Sequence, residues 1–311
     1  MGFTATDFIW FNGKLVPWAA AQVHVLAHGL HYGTGVFEGM RSYPTADGPA
    51  VFRLDAHLER MVKSAELYEL QVPYSTDALA DATLEVIRAN RLEASYIRPL
   101  AFFDYGATLS VWTSECPVSV AIAAFPTSSY HANASQGLRV TISSIRKFDN
   151  AAIPAWGKAC GQYINSVRAV QEAQRRGFDE ALLLNSHGQI AEGSGENLFV
   201  VKDGALVTND KDDSILMGVT RASILEIARD LGIPTRVAHM SVEDVLSADE
   251  LFFSGTAVEV TPIREVDGRT IGTGSIGPIT KRIQDTFNQA VRGQLPQYKK
   301  WLAYARQTVN S

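Results

Sequence analysis

Cysteine is scarce in this chain: Cys116 and Cys160 are the only two among 311 residues. Two cannot form a disulfide framework and their separation fits no zinc spacing, so a reducing cytoplasm is the expected location and no metal site is expected. An excess of positive charge is missing as well, since 28 Lys and Arg stand against 33 Asp and Glu for a formal net charge of −5. That balance gives no electrostatic reason to expect nucleic acid or an anionic membrane as a partner. No stretch is long and apolar enough to span a bilayer, and residues 1 to 7 lack the basic start and apolar core of an export signal. Internal repeats, low-complexity tracts and long charge runs are absent too. What is present, 46% hydrophobic and 20% charged residues, is the composition of a globular protein with length enough for two domains.

The chain opens as sheet. Asn12-Gly13 supplies the two positive-φ positions of a tight hairpin between Phe8–Phe11 and Lys14–Val16. After the aromatic and glycine-rich segment from His24 to Arg41, a short strand over Val51–Leu54 is expected to run into a helix capped by Asp55, with Leu58, Met61, Val62 and Ala65 on its apolar stripe. Arg60 lies off that stripe: such a residue is commonly solvated, but its guanidinium fork also suits a phosphate. A second helix is expected over Ser75–Asn90. The strand Ser95–Phe103 then places Tyr96 and Arg98 on one side, because side chains alternate along it. Strand Val118–Phe125 leads into the small, polar stretch from Pro126, the expected interdomain connection over 126–136, which divides a domain of 1–125 from one of 137–311.

In the second half, Val140–Ile145 resumes strand and a helix over Gln162–Arg176 shows Tyr163, Val167 and Val170 on one side. Hairpins follow around His187-Gly188 and Asp203-Gly204. Met217-Gly218-Val219-Thr220 opens a helix that stops at Gly232, and its free amide donors make Val219 and Thr220 candidates for an anion seat beside an otherwise ordinary capped helix. Glu250–Phe253 is a buried strand running into the small-residue turn Ser254-Gly255-Thr256-Ala257, and a final helix spans Pro278–Val291.

Two short stretches carry the chemistry. Lys158 lies among Gly157, Ala159 and Gly161, where backbone can approach a flat ligand closely and the amine is left unshielded for Schiff-base formation. Glu192 lies in the Gly-rich run Ala191-Glu192-Gly193-Ser194-Gly195, where a carboxylate can pair with a protonated ring nitrogen. Taken alone, each has an ordinary reading as a surface lysine or a strand-joining turn. Other motifs point elsewhere. Gly272-Thr273-Gly274-Ser275-Ile276-Gly277 matches the dinucleotide fingerprint in form, but it follows an antiparallel hairpin around Asp267-Gly268 and lacks the acidic partner downstream. His24, His28 and His31 read as loop histidines, with Gly29 set against a helix there. Cys160 reads as a small wall residue.

The whole pattern, from Ile9-Trp10-Phe11-Asn12-Gly13 to Gly277-Pro278-Ile279-Thr280-Lys281-Arg282, resembles the fold-type IV pyridoxal phosphate enzymes and, within them, the branched-chain amino acid aminotransferases. The resemblance implies a mixed α/β (α+β) fold of two domains, a small N-terminal α/β domain and a larger C-terminal pseudo-barrel. It implies pyridoxal 5′-phosphate as cofactor, with Lys158 as Schiff-base and proton-transfer residue, Glu192 on the pyridine nitrogen and Tyr163 on the phenolate oxygen. Arg60, Val219, Thr220 and Thr256 would hold the phosphate, and Leu216 would also bind the cofactor. Tyr96, Thr256 and Ala257 would receive the substrate α-carboxylate and Arg98 the side-chain carboxylate of glutamate. Tyr32, Phe37, Gly39, Arg41, Leu109, Val111 and Tyr130 would line the side-chain pocket, with Tyr32 reaching across from a second subunit. The implied reaction is ping-pong transamination of leucine, isoleucine and valine with 2-oxoglutarate by at least a dimer. The loop from Gly106 to Trp112, Thr127, Cys160 and Gln162 depart from the usual family residues and bear on side-chain specificity. Rival readings are a D-amino acid or R-amine transaminase, an aminodeoxychorismate lyase, and a non-enzymatic binding protein on the same scaffold.

Overall fold

The structure, a computed structural model, describes residues 4–106, 109–113, 115–126 and 136–305. The chain divides into two compact units: one comprises Met1–Ser128, Gly157–Gly161 and Gln289–Ser311, the other Ser129–Trp156 and Gln162–Asn288. A single cut at 126–136 would have given the lysine segment and the C-terminal segment to the second unit. The expected connection, with Thr127 and Tyr130, lies almost entirely outside the described residues.

The first unit is built on an antiparallel sheet. Its strands run in the order Leu302–Tyr304, Ala50–Phe52, Met40–Tyr43, Ser95–Phe103, Val118–Phe125, Phe8–Phe11 and Lys14–Pro17, with Gly35–Phe37 also paired to Ser95–Phe103. The Asn12-Gly13 turn takes φ of 46° and 92°, the left-handed backbone that such a hairpin requires. Helices Leu54–Ala65 and Thr76–Ala89 pack together, and Leu58, Met61, Leu79, Val86 and Ile87 join Ile97 and Ile122 in one core. Ser75 caps the second helix by accepting from the Ala78 amide at 3.2 Å. Asp55 does not cap the first: the N-cap is Arg53, at φ 53°, with no side-chain bond, and Asp55 sits in the first turn. The chain enters that helix directly from a buried strand, so the capping position falls ahead of the acidic residue.

The second unit carries a mixed sheet. In order its strands are Ile190–Gly193, Glu180–Leu184, Leu138–Arg146, Glu259–Val266, Glu250–Gly255, Asn197–Lys202, Ala205–Thr208 and Thr235–Val237, with Arg269–Thr270 paired to Glu259–Val266. Leu138–Arg146 runs parallel to both of its neighbours. Helix Tyr163–Arg175 packs on Leu138–Arg146 and Glu180–Leu184 through Asn165, Ser166, Ala169 and Ala173, while Ile164 and Val167 are exposed. The apolar side expected from Tyr163, Val167 and Val170 is therefore not the packed one. Small side chains let the helix approach the sheet closely, and periodicity of large residues misses that. Residues His28–Tyr32 form a five-residue helix despite Gly29, which leaves room there for the Phe102 side chain.

Candidate active site

In the first unit the lysine is fixed through its backbone. Its amide donates to Ser64 Oγ at 2.9 Å, its carbonyl accepts from the Phe37 amide at 3.1 Å, and Ala159 bridges to Val36. Gly161 donates to the Gly33 carbonyl at 3.1 Å. At Gly157 a Cβ would stand 2.0 Å from Leu67 Cδ1, so any side chain there would oblige Leu67 to move.

The Lys158 amine lies 4.9 Å from the centre of the Phe37 ring, and the Arg98 guanidinium lies 4.7 Å from the same centre. Arg98 donates to the Tyr96 hydroxyl at 3.0 Å, in keeping with the shared side of their strand. Gly39 is open only to a hydrogen atom, since a Cβ would meet the Tyr96 hydroxyl at 2.1 Å. Burial, the larger cause, and the Arg60 charge pull the Lys158 amine down to about 8, against the raising effect of Glu38 and Tyr96. An amine in that range is a usable nucleophile near neutral pH and a usable proton carrier afterwards.

Arg60 is not a solvated helix-surface residue. Its side chain is 12% exposed, and its Nε and one terminal nitrogen donate to the two oxygens of Glu38 at 2.7 and 2.9 Å. Glu38 also accepts from His57 Nδ1 at 2.7 Å. Sequence reasoning missed both Glu38 and His57. A charged residue between Phe37 and Gly39 in an apolar strand region, and His57 one helical turn before Arg60, were the available signals.

The second unit holds the carboxylate. Glu192 is buried; one oxygen accepts from Lys147 Nζ at 2.7 Å, the other from Asn197 Nδ2 and the Leu216 amide, both at 3.1 Å. Asn197 Nδ2 also donates to the Leu216 carbonyl at 2.8 Å. Burial works against the Lys147 charge, but Glu192 and, more weakly, Tyr163 outweigh it and raise the amine above its ordinary value. Lys147 and Asn197 were not found in the sequence, where neither stands in a motif of its own.

Helix Val219–Asp230 begins after Gly218 with no side-chain cap, which leaves its first amides as donors, and it packs on strand Glu250–Gly255. Thr220 is buried, Thr256 and Ala257 stand in the turn after that strand, and the buried Ser254 Oγ has no protein partner. An orphaned hydroxyl on the strand that packs against a helix with uncapped amides fits an anionic group such as a phosphate.

Tyr32, Leu109 and Val111 stand on an exposed face of the first unit, with the Tyr32 hydroxyl donating to the Leu109 carbonyl at 2.9 Å. Arg41 pairs in register with Tyr96 and lies over the Tyr43 ring. Tyr130 lies outside the described residues. Among the described residues no cluster of His, Cys, Asp or Glu could hold a metal ion. His28 instead bonds Thr34 Oγ1 and the Ser110 carbonyl, and the glycine run from Gly272 follows the antiparallel pair Glu259–Val266 and Arg269–Thr270.

The family described as Amino-transferase class IV matches residues 35–266. A branched-chain-amino-acid aminotransferase of Pseudomonas aeruginosa is 44% identical over 296 residues, which are 94% of this chain and 95% of that protein. The crystal structure of the Escherichia coli branched-chain amino acid aminotransferase superposes with a TM-score of 0.95 at 44% identity, covering 97% of this chain and all of that one. The branched-chain amino acid aminotransferase of Thermobaculum terrenum, solved in its PLP holo-form, superposes with a TM-score of 0.90 at 31% identity, covering 97% of this chain and 99% of that one.

Proposed function

The chain belongs to the class IV aminotransferases, and on that premise we propose that it transfers the amino group of leucine, isoleucine and valine to 2-oxoglutarate with pyridoxal 5′-phosphate as cofactor. The observation that carries this reading is the Lys158 amine, crowded against Phe37 and brought to about 8 beside Arg98 and Tyr96. When bound, the cofactor supplies an electron sink that makes the α-proton of an amino acid removable. Lys158 would join the cofactor covalently, give way to the substrate amine, and then carry the α-carbon proton. Glu192, held by Lys147, Asn197 and the Leu216 amide, would keep a proton on the pyridine nitrogen, and Tyr163 would bond the phenolate oxygen.

Arg60, Val219, Thr220 and Thr256 would hold the phosphate, and Leu216 would also bind the cofactor. Tyr96, Thr256 and Ala257 would take the α-carboxylate, and Arg98, an exposed cation stacked on Phe37, the second carboxylate of glutamate. Phe37, Gly39, Arg41, Leu109, Val111, Tyr130 and a partner subunit's copy of Tyr32 would line the side-chain compartment. The working unit would be a homodimer in the cytoplasm.

The test is a visible spectrum of the purified protein with pyridoxal phosphate, taken before and after L-leucine and again after 2-oxoglutarate. A yellow band bleached by the first and restored by the second is expected. A band that leucine leaves unchanged would redirect the substrate to D-amino acids, amines or aminodeoxychorismate. No band in the native chain, or the same band in Lys158→Ala, would refute the role given to the lysine.

A further inference from the structure

We infer that Glu38 is a positioning residue: its buried carboxylate, through two bonds to the guanidinium and one from His57, fixes the Arg60 cation that the proposed cofactor phosphate would meet. The inference rests on the function proposed above. Glu38 sits between strands Gly35–Phe37 and Met40–Tyr43, fully buried, and its amide donates to the Pro99 carbonyl at 2.9 Å. One oxygen accepts from Arg60 Nε at 2.7 Å, and the other accepts from an Arg60 terminal nitrogen at 2.9 Å, His57 Nδ1 at 2.7 Å and the Gly39 amide at 3.2 Å. Such a carboxylate spends its acceptor capacity on protein donors and keeps none for a ligand. It acts by holding something else.

What it holds is a cation on a different element. His57 and Arg60 are three residues apart on helix Leu54–Ala65, and Glu38 ties that face of the helix to the strands beside Phe37 and Tyr96. Burial would push the Glu38 carboxyl up, but Arg60 and His57 together hold it well below the usual carboxylate range, so it is ionised throughout the neutral range. Burial, the largest cause, keeps His57 below its ordinary value in spite of Glu38, so the imidazole donates as a neutral ring. A buried pair of this kind is a poor stabilising device, because apolar residues of the same volume serve stability at least as well. Its distinctive product is a guanidinium of fixed orientation, with its charge compensated next to a lysine that must stay nucleophilic. The charges acting on Lys158 are Arg60 and Arg98, which lower it, and Glu38 and Tyr96, which raise it; Lys158 acts in turn on His57 and Cys160.

Two substitutions separate charge from reach. Glu38→Gln keeps the size and removes the charge, and Glu38→Asp keeps the charge and draws it back by one methylene. For each full-length variant, two quantities are measured: the dissociation constant for pyridoxal phosphate by fluorescence titration, and, without cofactor, the pH dependence of trace Lys158 acetylation read by peptide mass spectrometry. In Glu38→Gln the uncompensated Arg60 charge moves the acetylation inflection below about 8, and cofactor affinity falls at least tenfold. In Glu38→Asp the inflection stays, while affinity still falls severalfold because the two-point hold on Arg60 is broken. An affinity within twofold of native in both variants overturns the inference, as does an unmoved inflection in Glu38→Gln. Should Glu38→Gln fail to fold, the affinity of Glu38→Asp decides alone. Borohydride trapping of native protein keeps the two readings apart: no pyridoxyl group on Lys158 refutes the proposed function, whereas trapping on Lys158 with unaffected variants refutes only the role of Glu38.

Discussion

Arg98 is the single side chain proposed to tell glutamate from leucine. It is exposed, stacks at 4.7 Å on the Phe37 ring and donates to Tyr96, so it presents a cation on a rigid strand beside the lysine. A charge-assisted bond to a substrate carboxylate is worth about 2 kcal/mol, or roughly thirtyfold in affinity. Arg98→Ala is therefore expected to raise KM for glutamate and 2-oxoglutarate by about that factor and KM for leucine by much less; equal losses for all three would remove Arg98 from this role. A residue away from the chemistry gives a pH prediction. Glu180 is buried on strand Glu180–Leu184, and burial, outweighing bonds from the Ala181 amide and Ser194, pushes its carboxyl up to about 7. The folded protein thus binds a proton that the unfolded chain releases from about 4.5. Its favourable contribution is fully present below that value and lost as pH rises through about 7, a matter of a few kcal/mol. Glu180→Gln keeps an acceptor for the Ala181 amide without the titration, so its Tm should exceed the native Tm at pH 8 and match it near pH 4.5 in paired thermal melts. A deficit of the same size at both pH values would show that the carboxyl is needed for its bonds alone.

Elements carry the site by presenting small residues at the points of closest approach. Gly218 precedes helix Val219–Asp230 at an ordinary φ of −66°, so its need for glycine is one of space: a Cβ would fall 2.0 Å from Asn197 Oδ1. Asn197 cannot yield without releasing Glu192 and the Leu216 carbonyl, which it holds together. Gly218→Ala should lower stability by about 1–3 kcal/mol and weaken cofactor retention with it. Gly195→Ala, with nothing within 4 Å of its added carbon, should leave Tm unchanged. Chemical denaturation of both variants, with cofactor retention after gel filtration, checks the pair; equal behaviour would mean that Asn197 does not brace the carboxylate.

The same packing explains what could be read ahead of the structure. The Asn12-Gly13 and Asp203-Gly204 turns, the strand Ser95–Phe103 and the Tyr96–Arg98 pairing follow from local rules and were legible. Glu38 beneath Arg60 and Lys147 on Glu192 join residues 22 and 45 positions apart, and no local pattern encodes which distant charge answers a buried one. Helix Tyr163–Arg175 misled for a related reason: its packed face is made of Ala, Ser and Asn, chosen for size over hydrophobicity.

At the scale of the whole molecule, the first unit leaves an apolar face uncovered. Val25 is 70% exposed, Leu30 64% and Val111 82%. They belong to one surface, since the His24 and Tyr105 rings meet at 4.2 Å, His31 bonds the Val25 carbonyl, His28 the Ser110 carbonyl and Tyr32 the Leu109 carbonyl. Those bonds stiffen the segment from His24 to Tyr32 against the 109–112 loop, and a stiff apolar patch rimmed by polar groups is suited to association. Each such side chain gains about 1.5–3 kcal/mol on full burial, so two of them replaced by carboxylates remove several kcal/mol and add the cost of desolvating charge. Leu30→Glu with Val25→Glu should therefore turn the dimer proposed above into monomer by light scattering at micromolar concentration. Both substitutions lie on the exposed face, so the circular dichroism of the variant should stay native. If Tyr32 serves a second subunit's pocket, turnover of leucine should fall together with the dimer and recover as protein concentration is raised. Full activity in a proven monomer would return Tyr32, Leu109 and Val111 to the surface of their own chain and leave the side-chain compartment to residues of one subunit.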